Sequence, residues 1–411
     1  VGEWLEGCPY PAHRKAELLR CWEECMGRLK AKHFKVDSHG KREHYMKYKH
    51  ARGINSRSDQ FKCATGPFFK AIERVVFAHS AFIKHTPVRL RPRRIQEILG
   101  GFPGPFYETD YCQFEKHFTE EVMGALEMVL YEHMLQHYPA MLKTIKNAMM
   151  GVNRCGYGKF RLDIHAHRMS GEMCTSLGNG FSNLMLADFI ATRKGGRITG
   201  FVEGDDGLFF SSVPITVQDF LELGFEIKIL LHTNLLHTSF CGLVCSEDLI
   251  TMTDPRKVLM TFGWTHSLLM NGGKKVRNEL LKAKALSLAY EHPQCPILST
   301  LAKTVLERLS CSKARFEHGW YEQHLIQQVV EFKEETAVLL ELGPSETVRT
   351  DFAEVFGISI MQQLEVEREI RSWHSGPLDG PWTLALFGPE YNDCRDYAER
   401  FTSATRLSPC L

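Results

Sequence analysis

Asp205 and Asp206 are adjacent carboxylates at the centre of Gly200-Phe201-Val202-Glu203-Gly204-Asp205-Asp206-Gly207-Leu208-Phe209-Phe210. Short apolar arms around an Asp/Gly turn are a strong local signal for a β-hairpin. Two like charges side by side are costly unless something positive offsets them. A divalent cation that takes carboxylate oxygens, Mg2+ or Mn2+, would do so. An ordinary surface turn favours the same residues for backbone reasons alone. The remaining polar residues must therefore decide between the two.

Further acids, amides and cations recur at suggestive spacings. Phe106–Tyr111 reads as a buried strand, with Asp110 near its end and Glu115 five positions later. A helix N-cap would account for one of these acids at most. Ser170-Gly171 makes a turn into a helix running to about Thr192, and Thr175 and Asn179 share one of its faces. They could hydrogen-bond a sugar, or cap and back-bond their own helix. Lys228 lies on a strand at 225–230, and Phe240-Cys241 on another at 237–244. Lys49, Arg52 and Arg57 alternate with small or apolar residues. In an extended segment such cations could face triphosphate oxygens or simply solvent. A second basic tract, Lys84–Arg94, carries Arg89, Arg91, Arg93 and Arg94, and Pro87 and Pro92 suggest that it is extended. It could bind a phosphate backbone or be a solvated loop.

The elements that must position these groups fit a mixed α+β chain. Residues 1–48 read as helical, with Leu18, Leu19, Trp22, Met26 and Leu29 at helical spacing from Ala16 to Lys32. A helix is expected from about Thr119 to Tyr138, and a strand at Phe160–Ile164. Val217–Leu223 reads as a helix ended by Gly224, and further helices are expected at 276–290, 297–310, 320–342 and 359–372. The chain has 411 residues, 44% hydrophobic and 24% charged, enough for two to three compact lobes. Its net charge is only +1, so a nucleic-acid partner must be read from local clusters. Thirteen cysteines, an odd number, suit a reducing compartment. The pairs Cys21/Cys25 and Cys241/Cys245 leave structural zinc open beside free thiols. No apolar run reaches the ~18 residues that span a bilayer. The opening, with Glu3, Glu6 and Arg14, does not read as a secretory leader, and a start at Val1 suits a segment of a longer protein.

In order and spacing these stretches resemble the motifs of viral RNA-dependent RNA polymerases. The likeness is greatest to the branch containing tombusviruses and their relatives, with flaviviruses more distant. Asp110-Tyr-Cys-Gln-Phe-Glu115 resembles Asp-x-x-x-x-Asp, with Glu115 as the departure. Ser170, Gly171, Thr175 and Asn179 match Ser-Gly-x-x-x-Thr-x-x-x-Asn, and Gly204, Asp205 and Asp206 match Gly-Asp-Asp. The gaps are 60 residues from Asp110 to Ser170 and 35 from Ser170 to Asp205. Lys228, the Phe240-Cys241 pair, and Lys49, Arg52, Ile54 and Arg57 fit weaker motifs.

The resemblance implies a right hand of fingers, palm and thumb, with an antiparallel palm sheet and a mostly helical thumb. Fingers would be 1–107 with 139–168, palm 108–138 and 169–262, thumb 263–411. It implies RNA synthesis with two Mg2+ or Mn2+ ions on Asp110, Asp205 and Asp206 and the Tyr111 carbonyl. Lys228 would protonate the departing pyrophosphate or stabilise its charge. Lys49, Arg52 and Arg57 would neutralise the triphosphate. Glu115, Thr175 and Asn179 would read the ribose 2′-hydroxyl, and Ser170 and Gly171 would lie against template and incoming base. Glu115 adds one methylene to the family's Asp and puts sugar selection in question. Implied partners are template and product RNA, ribonucleoside triphosphates and other viral replication proteins. The implied place is the host cytoplasm, at membrane-associated replication complexes, with any membrane attachment supplied by partners or segments outside this chain. The alternatives are a reverse transcriptase, which lacks the Ser-Gly-x-x-x-Thr-x-x-x-Asn set, and an inactive RNA-binding scaffold.

Overall fold

The computed structural model describes residues 1–41, 50–263, 272–310, 312–316, 323–374 and 378–387. The chain forms two compact units. The first is Val1–Lys41, Ala51–Thr86 and Ile95–Cys241; the second is Arg42–His50, Pro87–Arg94 and Gly242–Leu411, as far as these are described.

The first unit holds two four-stranded sheets. In one, β1 (Val36–Gly40) lies between β2 (Gly53–Arg57) and β4 (Val152–Gly156), and β5 (Arg161–His165) completes the order β2-β1-β4-β5. β1 and β2 are antiparallel, Val36 opposite Arg57, while β1 and β4 are parallel. In the other sheet, β3 (Phe106–Tyr111), β6 (Ile198–Glu203), β7 (Asp206–Ser211) and β8 (Ile227–His232) run in the order β6-β7-β3-β8. All three of its pairings are antiparallel.

Aromatic and aliphatic side chains build the core behind this second sheet. Tyr107, Tyr111, Phe114, Phe118, Val202 and Phe209 pack with Leu177, Leu186 and Ile190 of helix Thr175–Arg193. A smaller cluster, Ile83, Leu99, Phe106, Phe201, Leu208 and Phe240, covers other side chains of the same strands. Strands β6 and β7 are buried or half-buried throughout, while β8 at the sheet's edge is largely exposed.

The second unit is mostly helical. Helix Lys274–Glu291 packs on Leu298–Arg308, which packs on Ile360–Ser372. Two short strands, Leu243–Cys245 and Thr251–Met252, pair antiparallel. Arg89 lies over the rings of Phe332 (4.4 Å) and Tyr290 (5.9 Å) and pairs with Glu335 at 2.8 Å.

Several expectations are corrected. The basic tract is not extended: Val88–Leu90 is a 3-10 turn and Arg91–Leu99 a helix. Pro92 sits in the helix's first turn, where its missing N–H costs nothing. The helix expected over 119–138 is two, Glu120–Ala125 and Glu127–Met134, broken where Leu126 leaves helical angles (φ −110°, ψ −94°). The amino-terminal helix is Ala12–Cys25, ended by Met26 in the left-handed region, and the following segment contributes β1 rather than more helix. The helix expected at 320–342 breaks at Phe332 into Gln323–Glu331 and Lys333–Leu342. The strand expected at 237–244 is interrupted by a turn at Cys241-Gly242, both with positive φ.

Candidate active site

The β6–β7 hairpin presents Asp205 at its turn and Asp206 at the start of β7, opposite Glu203. Gly204 has φ +63°, a conformation that a residue with a Cβ resists. Helix Thr175–Arg193 fixes the turn from behind. The Asn183 Nδ2 donates to the carbonyl oxygens of Gly204 (3.3 Å), Asp205 (3.1 Å) and Asp206 (3.1 Å). Asn183 lies four residues after Asn179, on the same helical face. Sequence reasoning passed over it, although the spacing Thr175, Asn179, Asn183 was there to be seen.

The central strand β3 brings in the third acid. Thr109 pairs with Gly207, so Asp110 and Asp206 are one step beyond that pair. On the other side Asp110 pairs directly with Lys228. Directly opposed residues of an antiparallel pair project to the same face, and both are exposed. An acid and a cation therefore flank the hairpin tip on one face of the sheet.

The acids act on one another. Burial raises the Asp205 carboxyl above its usual range; its own backbone hydrogen bond opposes this, Glu115 and Asp110 add to it, and Arg52 pulls the other way. Asp206 is pushed up to about 6, first by burial and then by Asp205, with Asp110 and Glu203 adding further repulsion. Tyr111 is buried, and its phenol is raised well above the ordinary value by burial and by the Asp205 charge.

The ribose-reading set is partly joined. The Asn179 Nδ2 donates to Glu115 Oε1 at 3.3 Å, and Asn179 Oδ1 is buried without a hydrogen-bond partner. Thr175 turns inward instead: its hydroxyl donates to the Met169 carbonyl at 3.1 Å and braces the preceding loop. Ser170 and Gly171 are held against β2. The Asn55 N–H donates to the Ser170 carbonyl at 2.7 Å. Gly171 has φ +105°, and a Cβ there would meet Ile54 Cγ2 at 2.9 Å.

The basic set divides. Arg52 is exposed and within electrostatic reach of Asp205. Lys49 lies outside the described residues. Arg57 does not join them: it is 3% exposed and enclosed by protein. Its Nε donates to Glu172, Nη1 to the Phe34 carbonyl (2.9 Å), and Nη2 to the Ala148 carbonyl (2.6 Å) and to Asn153. This corrects the expectation that Arg57 faces a triphosphate, because its guanidinium is committed to Phe34 ahead of β1, to Glu172 after the Ser-Gly turn, to the end of helix Pro139–Met149 and to Asn153 of β4.

The donor set at the hairpin is carboxylate oxygen, partly buried and mutually repelling, which suits a hard divalent cation. Among the described residues no group of three or more His, Cys, Asp or Glu side chains is disposed to hold a metal ion. The acids thus share one electrostatic field without closing into a coordination sphere. No helix of the described residues is long and apolar enough to cross a membrane.

No curated protein matches the chain. A family described as viral RNA dependent RNA polymerase matches residues 44–376, which take in the hairpin, β3, β8 and the Ser-Gly loop. That match covers most of the sequence, and the protein belongs to the viral RNA-dependent RNA polymerase family.

Proposed function

We propose that this chain copies a viral RNA genome by template-directed nucleotidyl transfer, with Asp110, Asp205 and Asp206 as ligands of two Mg2+ or Mn2+ ions and the Tyr111 carbonyl beside them. The observation that carries the reading is the placement of Asp110 opposite Lys228 and beside the Gly-Asp-Asp turn. The raised carboxyls of Asp205 and Asp206 supply the charge imbalance that a cation would relieve. Bound divalent ions supply Lewis-acid stabilisation of the attacking and leaving oxygens in such a transfer.

The chain's own residues then take the following parts. Lys228, on the face of Asp110, neutralises or protonates the departing pyrophosphate. Arg52 faces the triphosphate, with Lys49 as its expected neighbour. The Asn179–Glu115 pair offers a donor and acceptors to the ribose 2′-hydroxyl, the group that separates RNA from DNA. Ser170 and Gly171 line the template side. Asn183 keeps the turn's backbone from drifting as charge builds up in front of it.

The right-hand division into fingers, palm and thumb, the affinity with the tombusvirus branch, and assembly with other viral replication proteins at cytoplasmic membranes belong to the same proposal. In it, the β3-β6-β7-β8 sheet is the palm.

The test is incorporation of labelled ribonucleotides on an RNA template, with Mg2+ or Mn2+, beside Asp205→Asn. Template- and metal-dependent product that vanishes in the variant, while RNA binding stays, is the expected result. Full synthesis by the variant would overturn the metal assignment. A folded, RNA-binding wild-type protein inactive with either metal would point to the scaffold reading.

A further inference from the structure

Resting on the polymerase reading, we propose that the tip of the β4–β5 hairpin is a base-stacking contact for single-stranded template RNA. The tip is a tight turn through Gly158 and Lys159. Tyr157 N–H donates to the Phe160 carbonyl at 2.9 Å, and Lys159 N–H to the Tyr157 carbonyl at 2.6 Å. This closure lays the two rings on each other, with centroids 5.0 Å apart and planes within 10°.

The stack is built from one side only. Tyr157 is anchored: its hydroxyl donates to Asn55 Oδ1 at 3.2 Å, and Ser38 Oγ donates to the same oxygen at 2.6 Å. Phe160 rests on Tyr157 yet remains 56% exposed. An aromatic ring backed on one face by an anchored ring and more than half exposed is preorganised to receive a second flat group.

The surroundings say what that group is. Lys159, Arg161 and Arg154 are all exposed on this hairpin, and Asp163, the cross-strand partner of Arg154, is the one acid among them. A flat ring beside cations suits a partner that alternates π faces with negative charge. Single-stranded RNA has that chemistry; a duplex does not, because its base faces are hidden by its own stacking.

The position relative to the site agrees. Asn55, which accepts from Tyr157, donates its N–H to the Ser170 carbonyl. Tyr157 is therefore two hydrogen bonds from the Ser-Gly loop on the proposed template side. Arg52 precedes β2, the strand that carries Asn55.

The experiment is fluorescence anisotropy with a short, unstructured single-stranded RNA and, separately, a duplex of the same length. The probes are the wild-type chain, Phe160→Ala and Phe160→Trp. Phe160 contributes little to the core, so Phe160→Ala keeps the fold, which circular dichroism checks. Phe160→Ala is expected to weaken single-strand binding about five- to a hundredfold, the range that loss of one stacked base supports. Phe160→Trp is expected to restore it, with duplex affinity unchanged in both. Lys159→Ala should weaken single-strand binding and shallow its salt dependence by about 0.7 in log–log slope, as for one lost phosphate contact. Single-strand affinity of Phe160→Ala within twofold of wild type, or an equal loss for duplex, overturns the proposal. RNA binding is read without nucleotide addition, so a wild-type chain inactive in the incorporation assay would strike the polymerase reading alone.

Discussion

At the scale of single residues, Arg57 shows how one spacing supports opposite roles. Alternation in Lys49-His-Ala-Arg52-Gly-Ile-Asn-Ser-Arg57 distinguishes two strand faces but not which face meets solvent. The structure buries Arg57 against Glu172 and leaves Arg52 outside. The deciding partner is Glu172, the acid that follows the Ser-Gly turn. Burial raises the Glu172 carboxyl, and Arg57 opposes that rise. Removing one partner of such a pair leaves a buried charge uncompensated. Arg57→Ala is therefore expected to lower folding stability by about 3–5 kcal/mol, measured by urea denaturation. An Arg57→Ala chain of wild-type stability with weakened nucleotide affinity would return Arg57 to the triphosphate. Asp110, Asp205, Asp206 and Lys228 were read from motif order, and the strand register places Asp110 opposite Lys228 and one step beyond the Thr109–Gly207 pair with Asp206.

At the scale of elements, the helix Thr175–Arg193 joins the separate motifs. It carries Asn179 to Glu115 and Asn183 to the three carbonyls of the Gly-Asp-Asp turn. Asn183→Ala removes the only side-chain donor shown for those carbonyls among the described residues. It is expected to cost about 1 kcal/mol of stability and to lower the incorporation rate at saturating nucleotide while leaving template affinity unchanged. A rate equal to wild type, read by single-nucleotide addition, would make the contact dispensable. Elements with a local apolar or turn signal were legible: β6, β7 and β8 hold short apolar stretches, β3 opens on Phe-Tyr, and the turn between β6 and β7 carries its own Gly and Asp signal. β1 was not, because Val-Asp-Ser-His-Gly has one apolar residue and takes its strand form from pairing with β2 and β4. Pro92 was read as a helix breaker when it stands in the first turn, where proline is accommodated. The stacked Tyr157–Phe160 pair depends on a turn closing between them, which alternation alone does not disclose.

At the scale of the whole chain, sequence order and spatial grouping part company. Pro87–Arg94 belongs with the unit that holds Gly242–Leu411, although the residues on either side of it belong to the first unit. Pattern reading assigns neighbours in sequence to one lobe and cannot see such an excursion. Arg89 supplies the physical reason: its guanidinium lies over the rings of Phe332 and Tyr290, some two hundred residues on. The mostly helical character of the second unit was legible from apolar spacing; its internal polar groups were not. His292, at the end of helix Lys274–Glu291, is one of them. It is buried, with Nδ1 lacking a partner, and burial pulls its imidazole down to about 4. In the unfolded chain the group titrates near 6.5, so between these values unfolding takes up a proton. The His292 contribution is then fully present above about pH 6.5 and is lost as pH falls towards 4, on the order of 3 kcal/mol in all. His292→Gln is expected to flatten the fall of Tm with acid across that window. Calorimetry of both chains between pH 7 and pH 4.5 decides it, and parallel Tm curves would mean that His292 does not titrate with unfolding.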